Sequence, residues 1–229
     1  MRILRALAVL SFAAGVLILA AGFLWDGADE PKAPAENGRH FEGFNLPAPP
    51  KTTFSTAVAS TATTVPTPTP YAGAIARFRI ERFEVNAPVE NIGLIPGENQ
   101  LDVPKDPLNV GWYDIYDRPG WGGNAVFSAH VDYWPDIRGP FFELYKLEPG
   151  DEVSIAMDDG TEYRYRVFRK QRYEATSIPM GDLIWPPEKE PGTEWITLIT
   201  CGGRFRAYLN GDGAGEYLDR DVVVAARVS

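Results

Sequence analysis

The chemistry that this sequence can support begins with its one cysteine, Cys201, and its two histidines, His40 and His130. A thiol acts as a nucleophilic catalyst when an imidazole exchanges protons with it and a cation stabilises the oxyanion that forms. His40 lies in a stretch with too little apolar content to hold it in place, so His130 is the candidate partner. The alternatives are a buried structural thiol at Cys201 and a structural strand histidine at His130.

Both candidates stand near the end of a predicted strand. Residues 123–131 and 195–201 are rich in apolar, aromatic and β-branched side chains, a composition typical of strands. The histidine comes near the end of the first run, and the cysteine ends the second, where Gly202 and Gly203 are predicted to terminate the strand. Functional side chains concentrate where strands give way to loops, so this shared position favours a catalytic pair over two structural residues.

The rest of the domain consists of short apolar or alternating runs separated by turn signals. Residues 76–83 alternate with period two, residues 153–168 have the pattern of a hairpin around a turn at 158–160, and residues 222–228 are expected to form the last strand. Pro140 precedes a stretch that fits one or two helical turns. The pattern predicts a mostly β fold, a small closed or nearly closed barrel with a few short helices.

Residues 176–192 contain several prolines and cannot form a regular strand, yet they carry large apolar side chains. An apolar loop of this length is often a binding wall. We therefore predict that Ile184 and Trp185 contact a substrate.

The first 25 residues differ from the rest of the chain. Arg2 and Arg5 precede an uncharged run over residues 6–25, which is long enough to cross a bilayer as a helix. We expect a single membrane anchor that embeds residues 3–25, the alternative being a cleaved signal peptide. Acidic residues follow the run directly, so the basic end is expected inside the cell and the downstream chain outside.

Residues 26–70 are rich in Pro, Thr and Ala and lack apolar periodicity, which predicts a disordered spacer between the anchor and a catalytic domain over residues 71–229. The length of 229 residues fits one ordinary domain with an appendage. The formal net charge is −9. An acidic chain of this kind offers nothing to attract nucleic acid, and we expect no such partner.

Two short stretches around the candidate pair resemble the signature motifs of the sortase family. His130 lies in Phe-Ser-Ala-His-Val-Asp (127–132), and Cys201 ends Thr-Leu-Ile-Thr-Cys (197–201). Further similarity covers residues 102–112, 123–125 and 217–220, so that the resemblance spans about residues 75–228. It implies the sortase fold, a closed eight-stranded β-barrel in which cysteine, histidine and arginine meet at the mouth.

The resemblance also implies a reaction and its partners. Cys201 would attack a carbonyl within a C-terminal sorting signal of a secreted protein, giving a thioester that an amine acceptor, a cell-wall precursor or a pilin lysine, then resolves. His130 would protonate the leaving amine and deprotonate the incoming one, while Arg220 would face the oxyanion. Thr200 would add to substrate binding. No cofactor is implied, and the class of sortase is left open.

The sequence departs from the family pattern in two places. Ala129 precedes the histidine where the family commonly has glycine, a small change that affects only the local backbone. The interval between Cys201 and Arg220 is longer than in the commonest sortases, so Arg204 and Arg206 also compete for the role of the arginine. We predict Arg220, because the family arginine begins the last strand. The alternative is a surface arginine that balances its acidic neighbours.

Three other interpretations are weaker. Two histidines and one cysteine show no zinc-ligand spacing, and a calcium ion at Asp132 and Asp136 has little support, so we predict no metal. A peptidoglycan-crosslinking cysteine transpeptidase usually has its histidine and cysteine in one segment, unlike this chain. A catalytically silent extracytoplasmic barrel that binds or scaffolds a partner remains the alternative from a different class.

Overall fold

The computed structural model describes residues 71–209 and 215–228. The predicted membrane anchor and spacer, residues 1–25 and 26–70, lie outside the described residues. Within the described ranges, no helix combines the length and hydropathy that crossing a bilayer requires.

The regular secondary structure of the described residues consists mostly of strands. The strands are β1 (Ile75–Ile80), β2 (Val85–Ile92), β3 (Val110–Tyr113), β4 (Asn124–Ala129), β5 (Asp132–Tyr133), β6 (Ile137–Arg138), β7 (Glu152–Met157), β8 (Glu162–Glu174), β9 (Trp195–Ala207) and β10 (Gly215–Arg227). The helices are a short α1 (Met180–Ile184) and two 3₁₀ turns, Glu81–Phe83 and Leu144–Lys146. The sequence predicted one or two helical turns after Pro140, and the structure has a single 3₁₀ turn there, Leu144–Lys146.

Eight of these strands close into a barrel in the order β1-β2-β3-β4-β9-β10-β8-β7, with β7 pairing back to β1. The predicted closed eight-stranded barrel is therefore confirmed. Strands β2 and β3 pair in parallel, as do β4 and β9, and the other neighbours are antiparallel. Strands β5 and β6 form a separate two-stranded hairpin directly after β4.

The barrel has two apolar layers, one inside it and one on its outer face. The inner layer is built around aromatic side chains such as Phe78, Phe127 and Tyr165. The outer layer consists of Val126, Ile199, Val222 and other strand residues covered by the segment that includes α1. Because both faces of β4 are covered, all six of its residues are buried.

Strands β9 and β10 are longer than the sequence predicted. The expected end at Cys201 is wrong, because β9 continues through the glycine pair to Ala207, and β10 begins at Gly215 instead of after Arg220. The two strands stay paired beyond the barrel, with a register shift between Tyr217 and Asp219. Gly203 has a φ of +68° at this irregularity, so the glycines accommodate a bulge rather than end the strand.

A buried asparagine fixes the outer segment to the barrel. Asn124 donates hydrogen bonds from Nδ2 to the carbonyl oxygens of Leu183 and Ile184, at 2.9 and 3.0 Å. Its Oδ1 accepts a hydrogen bond from the hydroxyl of Thr197 at 3.0 Å. One side chain therefore joins β4, β9 and the C-terminal end of α1.

Replacing this asparagine tests how much the fold depends on it. Asn124→Ala leaves two buried carbonyls and a hydroxyl with fewer partners, so the free energy of unfolding should fall by about 2–3 kcal/mol. Asn91→Ala, at an exposed strand position, is the matched control and should change stability by less than about 0.5 kcal/mol. Urea denaturation measures both, and equal midpoints for the two variants would contradict the role of Asn124.

Candidate active site

The parallel pairing of β4 with β9 brings the candidate histidine to the cysteine. The register runs from Asn124 opposite Trp195 to Ser128 opposite Ile199. Continuing it two residues past Ser128 puts His130 in the row of Cys201. The strands are still in contact there, because the Thr200 hydroxyl donates a 2.7 Å hydrogen bond to the carbonyl of Ala129.

The antiparallel pairing of β9 with β10 brings the arginine to the other side of the same cysteine. Arg220 is the direct Cα partner of Cys201. Cys201 on β9 and Arg220 on β10 thus form one row with His130, which directly follows the end of β4. Side chains alternate along a strand, so this row shares the outer face of the barrel with Ile199 and Val222, two positions away. Cys201 is half-buried, whereas His130 and Arg220 are 8% and 5% exposed.

The imidazole of His130 has a defined tautomer. Its Nε2 lies 2.9 Å from the carbonyl oxygen of Pro104, in the connection between β2 and β3. A carbonyl oxygen can only accept, so Nε2 carries a proton, and Nδ1 is the nitrogen that can exchange one. The ring of Tyr133 packs edge-on against the imidazole, with 5.4 Å between ring centroids. The main chain of His130 is also held, because Phe141 donates its N–H to the His130 carbonyl at 3.2 Å.

The guanidinium of Arg220 is fixed by main-chain oxygens. Its Nη1 donates to the carbonyls of Tyr217 and Asp219, at 2.8 and 2.9 Å. A buried arginine held by two carbonyls keeps its charge in a defined place.

The acidic neighbours of Arg220 bind other arginines. Asp219 accepts hydrogen bonds from Arg204, which hold the pKa of that carboxyl below its usual range. Asp221 accepts two hydrogen bonds from Arg172, at 2.7 and 2.8 Å, and these raise the pKa of the Arg172 guanidinium. These ion pairs do not support the interpretation of Arg220 as a surface charge that balances its acidic neighbours.

The two competing arginines lie farther along β9. Arg204 is three residues past the cysteine, about 10 Å along a strand, and is bound to Asp219 and Glu174. Arg206 is exposed and paired with Glu216. Of the three arginines considered from the sequence, Arg220 is the one in the row of Cys201.

The three residues predicted to contact a substrate, Thr200, Ile184 and Trp185, differ in how far their side chains are buried. The Thr200 side chain is buried and bonded to Ala129, on the opposite face of β9 from Cys201. Ile184 is also buried, in the outer apolar layer. Trp185 is half-buried, with its ring edge-on to Tyr116 at 5.6 Å. Among these three side chains, Trp185 is the one with surface to offer a ligand.

Sequence reasoning missed several groups around the row. The hydroxyl of Tyr113 lies 2.9 Å from that of Ser128 and donates to the carbonyl of Asp102 at 2.8 Å. Burial raises the pKa of Tyr113 far above its ordinary value, and the nearby carboxylate of Asp102 adds to this effect. Only the inclusion of residues 102–112 in the resemblance pointed to this region. A backbone carbonyl such as that of Pro104 leaves no signal in a sequence.

No metal-binding group of three or more His, Cys, Asp or Glu side chains occurs within residues 71–209 and 215–228. Asp132, considered from the sequence as a possible calcium ligand, accepts a hydrogen bond from the hydroxyl of Tyr217.

The residue after the cysteine has no space for a side chain. A Cβ on Gly202 would lie 2.0 Å from Oδ2 of Asp221, the carboxylate that Arg172 holds. The carboxylate therefore occupies the volume that any larger residue at this position would need, which constrains the main chain directly beside Cys201.

Gly202→Ala should displace Asp221 and disturb the backbone of Cys201. We expect the free energy of unfolding to fall by about 1–3 kcal/mol, as in other overpacked sites, together with slower alkylation of the thiol by iodoacetamide. Gly93→Ala is the matched control, because a Cβ there would meet its nearest atom at an ordinary 3.7 Å. Thermal unfolding and alkylation rates measure both variants, and a Gly202 variant that behaves like the Gly93 variant would contradict the close approach.

Similar solved structures include sortase C-1 from Actinomyces oris, with 21% identity, a TM-score of 0.48 and coverage of 67% of this chain and 73% of the other. Sortase C1 from Streptococcus suis has 23% identity, a TM-score of 0.46 and coverage of 69% and 74%. A lid mutant of sortase A from Corynebacterium diphtheriae has 20% identity, a TM-score of 0.47 and coverage of 68% and 70%. The comparison with curated proteins found no match.

A family model for the sortase domain matches residues 78–228, which is more than half of the chain and contains all three residues of the row. The chain belongs to the sortase family.

Proposed function

We propose that this chain is a cysteine transpeptidase that cleaves a sorting signal in secreted proteins and transfers the acyl group to an amine acceptor. The observation that carries the proposal is the row formed by His130, directly after the end of β4, Cys201 on β9 and Arg220 on β10. Acyl transfer from an amide needs a nucleophile, an acid/base and a stabiliser for the oxyanion, and this row offers one of each.

In the first step, His130 takes the proton of the Cys201 thiol, and the resulting thiolate attacks the carbonyl carbon of the scissile amide, forming a C–S bond and a tetrahedral oxyanion. The oxyanion collapses, the C–N bond breaks, and the leaving amine takes a proton from His130. Because Nε2 is bonded to the Pro104 carbonyl, we assign the proton transfer to Nδ1. A thioester between the sorting signal and Cys201 remains.

Arg220 stabilises the oxyanion of this step. Its guanidinium is oriented by the carbonyls of Tyr217 and Asp219, so little reorganisation is needed when charge develops on the substrate. Donors that are fixed before the reaction stabilise the transition state more than donors that must move into place.

In the second step, an amine attacks the thioester while His130 removes its proton. The C–S bond breaks and a new amide forms, releasing the Cys201 thiolate. The amine belongs to a cell-wall precursor or to a pilin lysine, and supplying each in turn distinguishes them.

The sorting signal binds on the outer face of the barrel, because the row faces that side. Trp185 lines this face beside Tyr116. Its partly exposed ring offers apolar contact to an extended peptide, and the buried Ile184 supports the segment from below.

We further propose that residues 3–25 anchor the chain in the cell membrane and that the catalytic domain lies outside. The uncharged run and the basic residues that precede it support this location. Protease added to intact protoplasts should degrade the domain and remove a C-terminal epitope. A fully protected epitope would contradict the location.

The catalytic assignment predicts separate losses for the three residues. Cys201→Ala should abolish the covalent adduct with a sorting peptide, whereas His130→Ala should keep a thiol that can be alkylated but should lose turnover. Arg220→Lys keeps the charge and loses the planar fork, so turnover should fall by the equivalent of about 2.7–4 kcal/mol, the value of an oxyanion donor in hydrolases. Mass spectrometry detects the adduct, and cleavage of a labelled peptide with an amine acceptor measures turnover.

Arg206→Ala is the matched control, since this exposed arginine pairs with Glu216 away from the row. Its turnover should remain near that of the unmodified chain. Equal turnover in the Arg206 and Arg220 variants would exclude Arg220 as the oxyanion stabiliser. A domain that forms no adduct with any sorting peptide would favour the silent binding module.

A further inference from the structure

One residue of β10, Tyr217, binds both Arg220 and the segment that follows His130. The Tyr217 hydroxyl donates a hydrogen bond to Oδ2 of Asp132, two residues after the histidine. The main-chain carbonyl of the same tyrosine accepts a hydrogen bond from Nη1 of Arg220 at 2.8 Å. The tyrosine therefore joins the segment that carries His130 to the guanidinium on the far side of Cys201.

The segment that receives this hydrogen bond is not part of the barrel sheet. Strands β5 and β6 pair with each other, Asp132 with Arg138 and Tyr133 with Ile137, and among the described residues they form a sheet of their own. Strand β4 ends at Ala129, so the ladder that aligns the barrel stops one residue before His130. The position of the histidine beyond that point depends on contacts other than strand pairing.

The hairpin bears directly on the imidazole. Tyr133, the residue next to Asp132, packs edge-on against the His130 ring. Movement of Asp132 would therefore move the ring that orients His130. This connection gives the Tyr217 hydroxyl a route to the acid/base.

The tyrosine itself is held in place. Phe205, its direct partner on β9, packs against its ring with centroids 5.1 Å apart and planes at 62°. Both lie on the part of β9 and β10 that extends past Cys201. The extended parts of these two strands therefore support the Tyr217 side chain, which binds Asp132 in the segment after His130.

We propose that Tyr217, through Asp132, is a positioning residue that holds His130 in the row with Cys201 and Arg220. The inference rests on the proposed function for its catalytic meaning. The contact itself can be tested without a sorting substrate, through the reactivity of the thiol that His130 adjoins.

The main test is Tyr217→Phe in the full chain. This change removes the hydroxyl but keeps the ring against Phe205 and the carbonyl that binds Arg220. The rate of Cys201 alkylation by iodoacetamide at neutral pH should fall about tenfold, the lower end of what a hydrogen bond to a charged group contributes. Peptide turnover should fall similarly in kcat with little change in KM, because the substrate surface is untouched.

A double-mutant cycle separates positioning from a general structural role. In a His130→Ala background, Tyr217→Phe should slow alkylation by less than twofold, because the residue through which it acts is gone. Asp132→Ala should reproduce the loss, while Asp132→Asn, which keeps an acceptor oxygen, should lose less. Tyr208→Phe, which removes another hydroxyl beside the extended end of β9, is the control and should react like the unmodified chain.

Two outcomes of the alkylation measurements would contradict the positioning role of Tyr217. An alkylation rate in Tyr217→Phe equal to that of the unmodified chain would show that the hydroxyl does not position the histidine. The same tenfold loss with and without His130 would show that it acts on the fold instead. If the unmodified chain reacts with iodoacetamide but with no sorting peptide, the proposed transpeptidase function fails. The double-mutant cycle of alkylation rates still tests the contact between Tyr217 and Asp132.

Discussion

The parallel register between β4 and β9 is the constraint on which the site depends. It aligns Ser128 with Ile199, and continuing it by two residues brings His130, just past the end of β4, to the row of Cys201. A slip of one residue would turn every side chain of one strand to the opposite face. Because both faces of β4 are buried, such a slip would also exchange the inner and outer apolar layers. The packing of the barrel therefore constrains the geometry of the candidate catalytic row.

The charged side chains next to this row lie on two different faces of β10. Arg220 lies on the outer face, while the adjacent Asp219 and Asp221 are bound by Arg204 and Arg172. Alternation along β10 separates the arginine from the carboxylates that flank it in the sequence. In the sequence, Arg220 stands between Asp219 and Asp221, a pattern typical of surface charge balance. In the structure, these two carboxylates are paired with Arg204 and Arg172 instead.

The candidate pair and the barrel could both be predicted from the sequence. One cysteine and one histidine within the domain left little choice for the pair, and the alternating runs predicted the barrel. The glycine pair after Cys201 was misinterpreted, because a bulge and a strand end require the same backbone freedom. Ile184 is buried because Asn124 binds the carbonyls of residues 183 and 184. That contact joins distant parts of the chain, which local patterns do not encode.

The register has a consequence for how such a chain can vary. His130 comes six residues after the start of β4, and Cys201 comes six residues after the start of β9. These two offsets, rather than the length of chain between the residues, bring His130 and Cys201 to the same end of the paired strands, where the contacts of the histidine then orient its ring. The intervening β7–β8 turn and the segment with α1 can therefore lengthen or shorten during evolution, reshaping the surface around the row while His130 and Cys201 keep their alignment.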